Sequence, residues 1–436
     1  MKTLLRWNKA LLFFALVAVL TQLSGAYSVL THEQIVDLVW LDRIQPMVKE
    51  KYPGLTDEQL KEAHGYAYGG SLMQDMGYYP FGNKFLSDLT HYVRTGDFVI
   101  CLLQEANTAD EYAFALGALA HYASDISGHP MVNRAVAMEF PELHKKFGNE
   151  VTYEDSPKAH IRVEFGFDVT QVAKNQYTSD RYHDFIGFGI AEGLLERVFP
   201  KVYGIDFADV VRDEDLAIGT FRRSVSTVIP AMTRVALLAR PKELVADTPN
   251  SAKRKYRYYL SRTNYEREWG SEYRRPGFGT RVLAFFLRLV PKKGPFSGLS
   301  FKIPSQKAED QFVQSIDNAV ESYQKLLADQ RKGTLKLANK DCDTGRDTRP
   351  GEYALADKTY SHLLSNLADS GFQQTSVELR KNILAFYAEP AAPQASKTLP
   401  REKAKDWKKV QENLQQLKEA AITLERDAIV PTPANR

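Results

Sequence analysis

Glu111-Tyr-Ala-Phe-Ala-Leu-Gly-Ala-Leu-Ala-His121-Tyr-Ala-Ser-Asp125-Ile-Ser-Gly-His129-Pro130 is the stretch on which the fold turns. Apolar residues recur at helical spacing through 111–122, without the strict alternation of a half-buried strand. His121 and Asp125 are separated by one helical turn, so they share a face and can close on one ion. His160-Ile-Arg-Val-Glu164 repeats the arrangement in a second helical stretch, 159–172. His129 follows at Gly128-His129-Pro130, which reads as a turn.

Outward from these two segments the pattern stays helical, at 33–48 and 213–238, then at 311–328, 359–388 and 402–429. Turn-rich pieces such as Gly77-Tyr78-Tyr79-Pro80-Phe81-Gly82 separate them. The expected class is all-α. The boundaries read from composition are a leader at 1–26, a helical domain at 27–245, a basic insertion at 246–310 and further helices at 311–389. A Pro/Ala-rich linker at 390–401 and a charged amphipathic helix at 402–436 complete the chain. Residues beyond 310 carry no recognisable chemistry.

Residues 1–26 read as a secretory signal: Lys2, Arg6 and Lys9 precede an apolar run, and Ser24-Gly25-Ala26 has the small-x-small form of a cleavage site. The run is short for a membrane anchor, and no cysteine follows it to take a lipid. The expected location is secreted or periplasmic. Those three bases account for the whole formal net charge of +3, so bulk charge names no partner. Between 251 and 307, however, 14 Lys or Arg face only Glu266, Glu268 and Glu272, around the apolar run Val282-Leu-Ala-Phe-Phe-Leu287. An apolar helix rimmed by bases suits peripheral contact with an anionic membrane or nucleic acid, or else a solvated insertion packed on its own protein. Cys101 and Cys342 could form one disulfide, but two cysteines cannot make a Cys-rich zinc site. A metal would be held by histidine and carboxylate.

Eight of the nine histidines stand at or before position 183. Two His-x-x-x-carboxylate pairs, with His32 and His91 upstream and His129 between, point to more than one ion, with carboxylates to bridge and balance charge. His64, His144, His183 and His362 read as structural. Tyr66, Tyr68, Tyr78, Tyr79 and Phe81 suit either a pocket for a quaternary ammonium head group or ordinary core packing.

The order of these residues resembles the zinc-dependent phospholipase C family, whose relatives include the S1/P1-type nucleases. The resemblance covers about residues 27–240. It implies a multi-helix bundle holding two to three zinc ions, here with a basic insertion and a helical C-terminal extension. It also implies that cleavage after Ala26 makes the amine of Tyr27 a zinc ligand, followed by His32, Asp75, His91, His121, Asp125, His129, His160 and Glu164. Asp125 would bridge two ions, and Asp75 would be a ligand or the proton acceptor for the attacking water. The family usually begins with Trp rather than Tyr. It also commonly takes a step of six residues where this chain takes a step of four from Asp125 to His129, which leaves His144 as a substitute ligand.

The activity the resemblance implies is hydrolysis of a phosphodiester by metal-activated water. Phospholipid cleaved to diacylglycerol and a phosphorylated head group is the preferred substrate, because His160 pairs with Glu164, as in the phospholipases. The five-residue step from Tyr27 to His32 looks more like the nuclease branch, so a single-strand nuclease is the alternative. A non-catalytic, zinc-stabilised binding protein is the third.

Overall fold

The computed structural model describes residues 29–173, 189–225, 229, 302–388 and 401–420. The leader, Tyr27, His183, the basic stretch up to 301 and residues 390–400 of the linker lie outside the described residues. The described residues form an all-α bundle without a β-strand; the only pairing is the isolated bridge between Lys340 and Asp347.

The helices in chain order are α1 (Val29–Val39), α2 (Gln45–Lys51), α3 (Asp57–Leu72), α4 (Lys84–Tyr92) and α5 (Thr95–Glu105). The central α6 (Ala109–Glu139) is followed by α7 (Pro141–Phe147), α8 (Pro157–Ala173), α9 (Glu192–Tyr203), α10 (Phe207–Val210) and α11 (Glu214–Arg223). The C-terminal set is α12 (Gln306–Arg331), α13 (Ala354–Asp369), α14 (Val377–Ala388) and α15 (Arg401–Glu419). No described helix is long and apolar enough to cross a membrane.

Local chemistry starts these helices where the sequence demands. Thr56 caps α3 reciprocally with Gln59, and the Thr108 side chain accepts the Glu111 N–H at the head of α6. Asp110 and Glu111 then favour the positive end of the α6 dipole. From Tyr112 to Asp125 every residue of α6 is buried, as expected of a helix apolar on all sides. α3 packs along one side of it and α12 along another. The contact with α3 is backbone to backbone: a Cβ on Gly70 would lie 1.8 Å from the Phe114 carbonyl oxygen, and one on Gly117 would lie 2.0 Å from that of Ala67. Only glycine permits this approach. On the other side, Tyr323 of α12 donates to the Leu116 carbonyl at 2.8 Å. One apolar core therefore runs from Val29 to Leu417.

Three elements depart from the sequence reading. The helical stretch at 33–48 is interrupted by a π-turn, Trp40–Ile44, after which Pro46 sits in the first turn of α2, where its missing N–H costs nothing. The stretch at 359–388 is two helices, parted where Gly371 and Phe372 take φ of +63° and +58°. Most consequential, Gly128-His129-Pro130 is no turn: α6 continues through Pro130 to Glu139. Pro130 leaves the Ile126 carbonyl without its helical donor, and Gly345 packs directly over that oxygen, where a Cβ would be only 2.5 Å away.

Candidate metal centre

Because α6 runs on, His121, Asp125 and His129 form a single stripe at successive turns, and all three are buried. α1 brings His32, the 3-10 turn Met73–Tyr78 brings Asp75, and α4 brings His91. On α8, His160 and Glu164 share a face with Asp168, again one per turn. Asp168 accepts from the Leu30 N–H at 3.3 Å and the Thr31 hydroxyl at 3.1 Å, so it fastens the first turn of α1 beside His32.

The decisive detail is which nitrogen each ring commits elsewhere. His91 Nδ1 lies 2.7 Å from the Ser87 carbonyl and His121 Nδ1 lies 2.8 Å from that of Ser71. A carbonyl only accepts, so both Nδ1 atoms carry hydrogen. The Ser124 hydroxyl donates to the His121 carbonyl at 2.9 Å and accepts from His32 Nδ1 at 3.0 Å. All three rings thereby turn Nε2 inward. The Nε2 atoms of His32, His91 and His121 stand 3.6, 3.5 and 3.0 Å from the Asp125 carboxylate, and those of His91 and His121 are 3.3 Å apart. Asp75 faces His91 Nε2 at 3.4 Å and His32 Nε2 at 4.0 Å. Ring nitrogens and carboxylate oxygens thus converge in a buried space, where positive charge, from ring protons or a metal cation, must balance the carboxylates. Neutral imidazole with an outer partner on its other nitrogen is the usual zinc ligand. The residues fit zinc.

Electrostatics report the same crowding. Burial, and then His121 stacked on it at 4.4 Å, push His32 down to about 3. Burial opposes charge on His91 as well, but Asp125 and Asp75 outweigh it and hold His91 well above the imidazole range. Burial would raise Asp125, yet His121, His129 and His91 hold it well below the usual carboxylate range.

Two tight groups result. The ligand atoms of His32, His121 and Asp125 lie within 4.8 Å of one another, as do those of Asp75, His91 and His121. Among the described residues, His129, His160 and Glu164 join no such group. His160 directs Nε2 to the Val151 carbonyl at 2.6 Å and presents Nδ1 to Glu164 at 3.1 Å. Burial takes His160 down to about 4, while burial and then the carboxylates of Asp75, Asp343, Asp125 and Asp168 raise Glu164 well above its ordinary range. A protonated Glu164 donating to neutral His160 accounts for the pair. His129 reaches inward as well, its Nε2 3.9 Å from Asp125. His144 is outside the centre and bonds the Gly148 carbonyl at 3.0 Å.

Of the aromatic candidates, Tyr68 bonds Asp37 and Tyr79 packs on Phe221, both in the core. Tyr78 flanks the centre, 6.0 Å from the His91 ring, and Phe81 is 67% exposed with φ of +62°. Cys101 and Cys342 are buried free thiols and form no disulfide.

One contributor escaped the sequence reading, which assigned no chemistry beyond 310. Asp343 is buried with Oδ1 3.2 Å from His129 Nδ1. Burial would raise its carboxyl, but His129 and the Tyr353 hydroxyl hold it down to about 2. Asp341-Cys-Asp343-Thr-Gly345 is an acidic turn sequence, but nothing in its spacing indicates that it folds onto α6.

The sequence profile described as zinc dependent phospholipase C matches residues 31–209. No curated protein and no solved structure matches the chain. The match spans α1 to α9 and contains every described candidate ligand from His32 to Glu164. By that match, residues 31–209 of this chain, its N-terminal helical region, are similar to the zinc-dependent phospholipase C family.

Proposed function

We propose that the protein is an exported zinc-dependent phosphodiesterase that cleaves glycerophospholipid to diacylglycerol and a phosphorylated head group. The observation that carries the reading is the convergence of three imidazole Nε2 atoms on Asp125, each ring held by a partner on Nδ1. In this reading Asp75, His91, His121 and Asp125 hold one ion, and His32 shares Asp125 with a second. The α-amine of Tyr27, freed by cleavage after Ala26, completes the second site. His129, His160 and Glu164 hold the third ion, which requires Glu164 to give up its proton. Bound zinc supplies a polarised water and positive charge against the phosphate.

The chain's own residues then have definite tasks. Asp125 sets its negative charge against the rings of His32, His91 and His121, and the carbonyls of Ser71 and Ser87 keep His121 and His91 in one tautomer. Asp75 accepts a proton from the attacking water, whose oxygen forms the new bond to phosphorus. The bond from phosphorus to the glycerol oxygen breaks, and that oxygen takes up the proton held by Asp75 and leaves as diacylglycerol. The basic stretch at 251–307 suits peripheral contact with an anionic membrane.

The test is purified mature protein assayed on phosphatidylcholine and on single-stranded nucleic acid, with and without a chelator. Chelator-sensitive release of phosphocholine is expected. Nucleic-acid cleavage alone would move the protein to the nuclease alternative. Turnover of neither substrate by zinc-loaded protein would overturn the hydrolase reading.

A further inference from the structure

The turn that carries Asp343 lies outside the residues matched to the family, yet it grips two of the candidate ligands. Asp341 Oδ1 accepts the N–H groups of Asp343 at 2.8 Å and Thr344 at 3.2 Å, shaping the turn. The Cys342 N–H donates to the His91 carbonyl at 3.0 Å, and Asn133 of α6 donates to the Asp343 carbonyl at 2.9 Å. Gly345 completes the seat over the Ile126 carbonyl left bare by Pro130. Within this frame the two oxygens of the Asp343 carboxylate have separate tasks. Oδ2 accepts from the hydroxyls of Tyr92 at 2.8 Å and Tyr353 at 2.5 Å, while Oδ1 faces His129 Nδ1 at 3.2 Å.

We propose that Asp343 is a positioning residue of the metal centre, its carboxylate pairing electrostatically with the His129 ring on the Nδ1 side so that Nε2 faces inward as a zinc ligand. The proposal rests on the zinc-site reading above. It gives His129 the outer partner that carbonyls give His91 and His121, here a carboxylate fixed by two tyrosines. A ligand histidine on a carboxylate is a more basic donor with a defined tautomer, and loss of such a partner costs roughly 10–100-fold in metal affinity. It also gives the C-terminal extension a task, because a chain ending after the family-matched region would leave His129 without this partner.

The experiment is a competition titration of zinc against a chromophoric chelator, using the full mature chain and its Asp343→Asn and Tyr353→Phe variants. Thermal unfolding of each zinc-free protein is measured alongside. Asp343→Asn should weaken one bound ion by roughly 10–100-fold and leave the others near wild type. Tyr353→Phe, which keeps the carboxylate but removes one anchor, should weaken the same ion by a smaller factor. If all ions stay within about twofold of wild type while zinc-free stability falls, Asp343 merely holds its loop and the proposal is overturned. Should Asp343→Asn fail to fold, Tyr353→Phe decides: an unchanged ion set overturns the proposal. Wild-type protein that takes up no zinc would instead overturn the zinc-site reading itself.

Discussion

Asp125→Asn is the sharpest perturbation of this centre. The Asp125 carboxylate lies 3.6 Å from His32 Nε2, 3.5 Å from His91 Nε2, 3.0 Å from His121 Nε2 and 3.9 Å from His129 Nε2. No other carboxylate in the centre faces so many rings. Each unit of positive charge held among those nitrogens, within about 4 Å of the carboxylate, interacts with it by about 4 kcal/mol at an effective dielectric near 20. That corresponds to roughly a thousandfold in affinity, and relaxation around the smaller charge reduces it, so a loss of about a hundredfold or more is expected. The zinc-free fold should survive, because the asparagine keeps the shape and its N–H₂ can donate to a bare Nε2. Glu164→Gln is the control: its described ion-pair partner is His160 alone, at 3.1 Å, so it should cost less and affect one ion. Bound zinc and phosphodiester hydrolysis are measured for both variants at one zinc concentration. Near-normal zinc and rate in Asp125→Asn, with loss of both in Glu164→Gln, would refute the bridging assignment.

Elemental analysis of the mature protein should find two or three zinc per chain, and less than one after zinc-replete expression would remove the metal assignment. One alanine appended before Tyr27 should lower zinc content and turnover while leaving helicity intact; Asp168 anchors Leu30 and Thr31 close by, so the start of α1 has little freedom to readjust. Zinc uptake should release protons and tighten as pH rises through neutrality. Although burial opposes it, carboxylates hold His91 and His129 above the usual value near 6.5, so both keep protons that zinc must displace. Calorimetry in buffers of different ionisation enthalpy checks this, and uptake without proton release at pH 7 would contradict it. Gly70→Ala should destabilise the chain by about 3 kcal/mol, since its Cβ would lie 1.8 Å from a backbone oxygen; an unchanged melting temperature would mean α3 and α6 separate freely.

Sequence alone determined what repeats at short range. Helical periodicity identified α6, α8 and α12, because burying an apolar face is a local pattern in a long helix. The one-turn spacing of His121 with Asp125 and of His160 with Glu164 placed each pair on one face, and both pairs are buried at the centre. The tertiary structure decided everything that depends on distant partners. Gly128-His129-Pro130 reads as a turn, yet the helix continues through it, with Gly345, far along the chain, packed against the Ile126 carbonyl that lacks its helical donor. The tautomers of His91 and His121 come from the Ser87 and Ser71 carbonyls, and the latter is in reach only because Gly70 and Gly117 let two backbones touch. His160 and Glu164 share the predicted face, but the Val151 carbonyl turns the ring so that the pair bonds internally. Asp343 reaches His129 through a turn whose anchors, Tyr92 and Asn133, lie 251 and 210 residues away in sequence. Spacing encodes which side chains share a helix face, whereas ring orientation and charge pairing depend on neighbours that only the packed chain brings into contact.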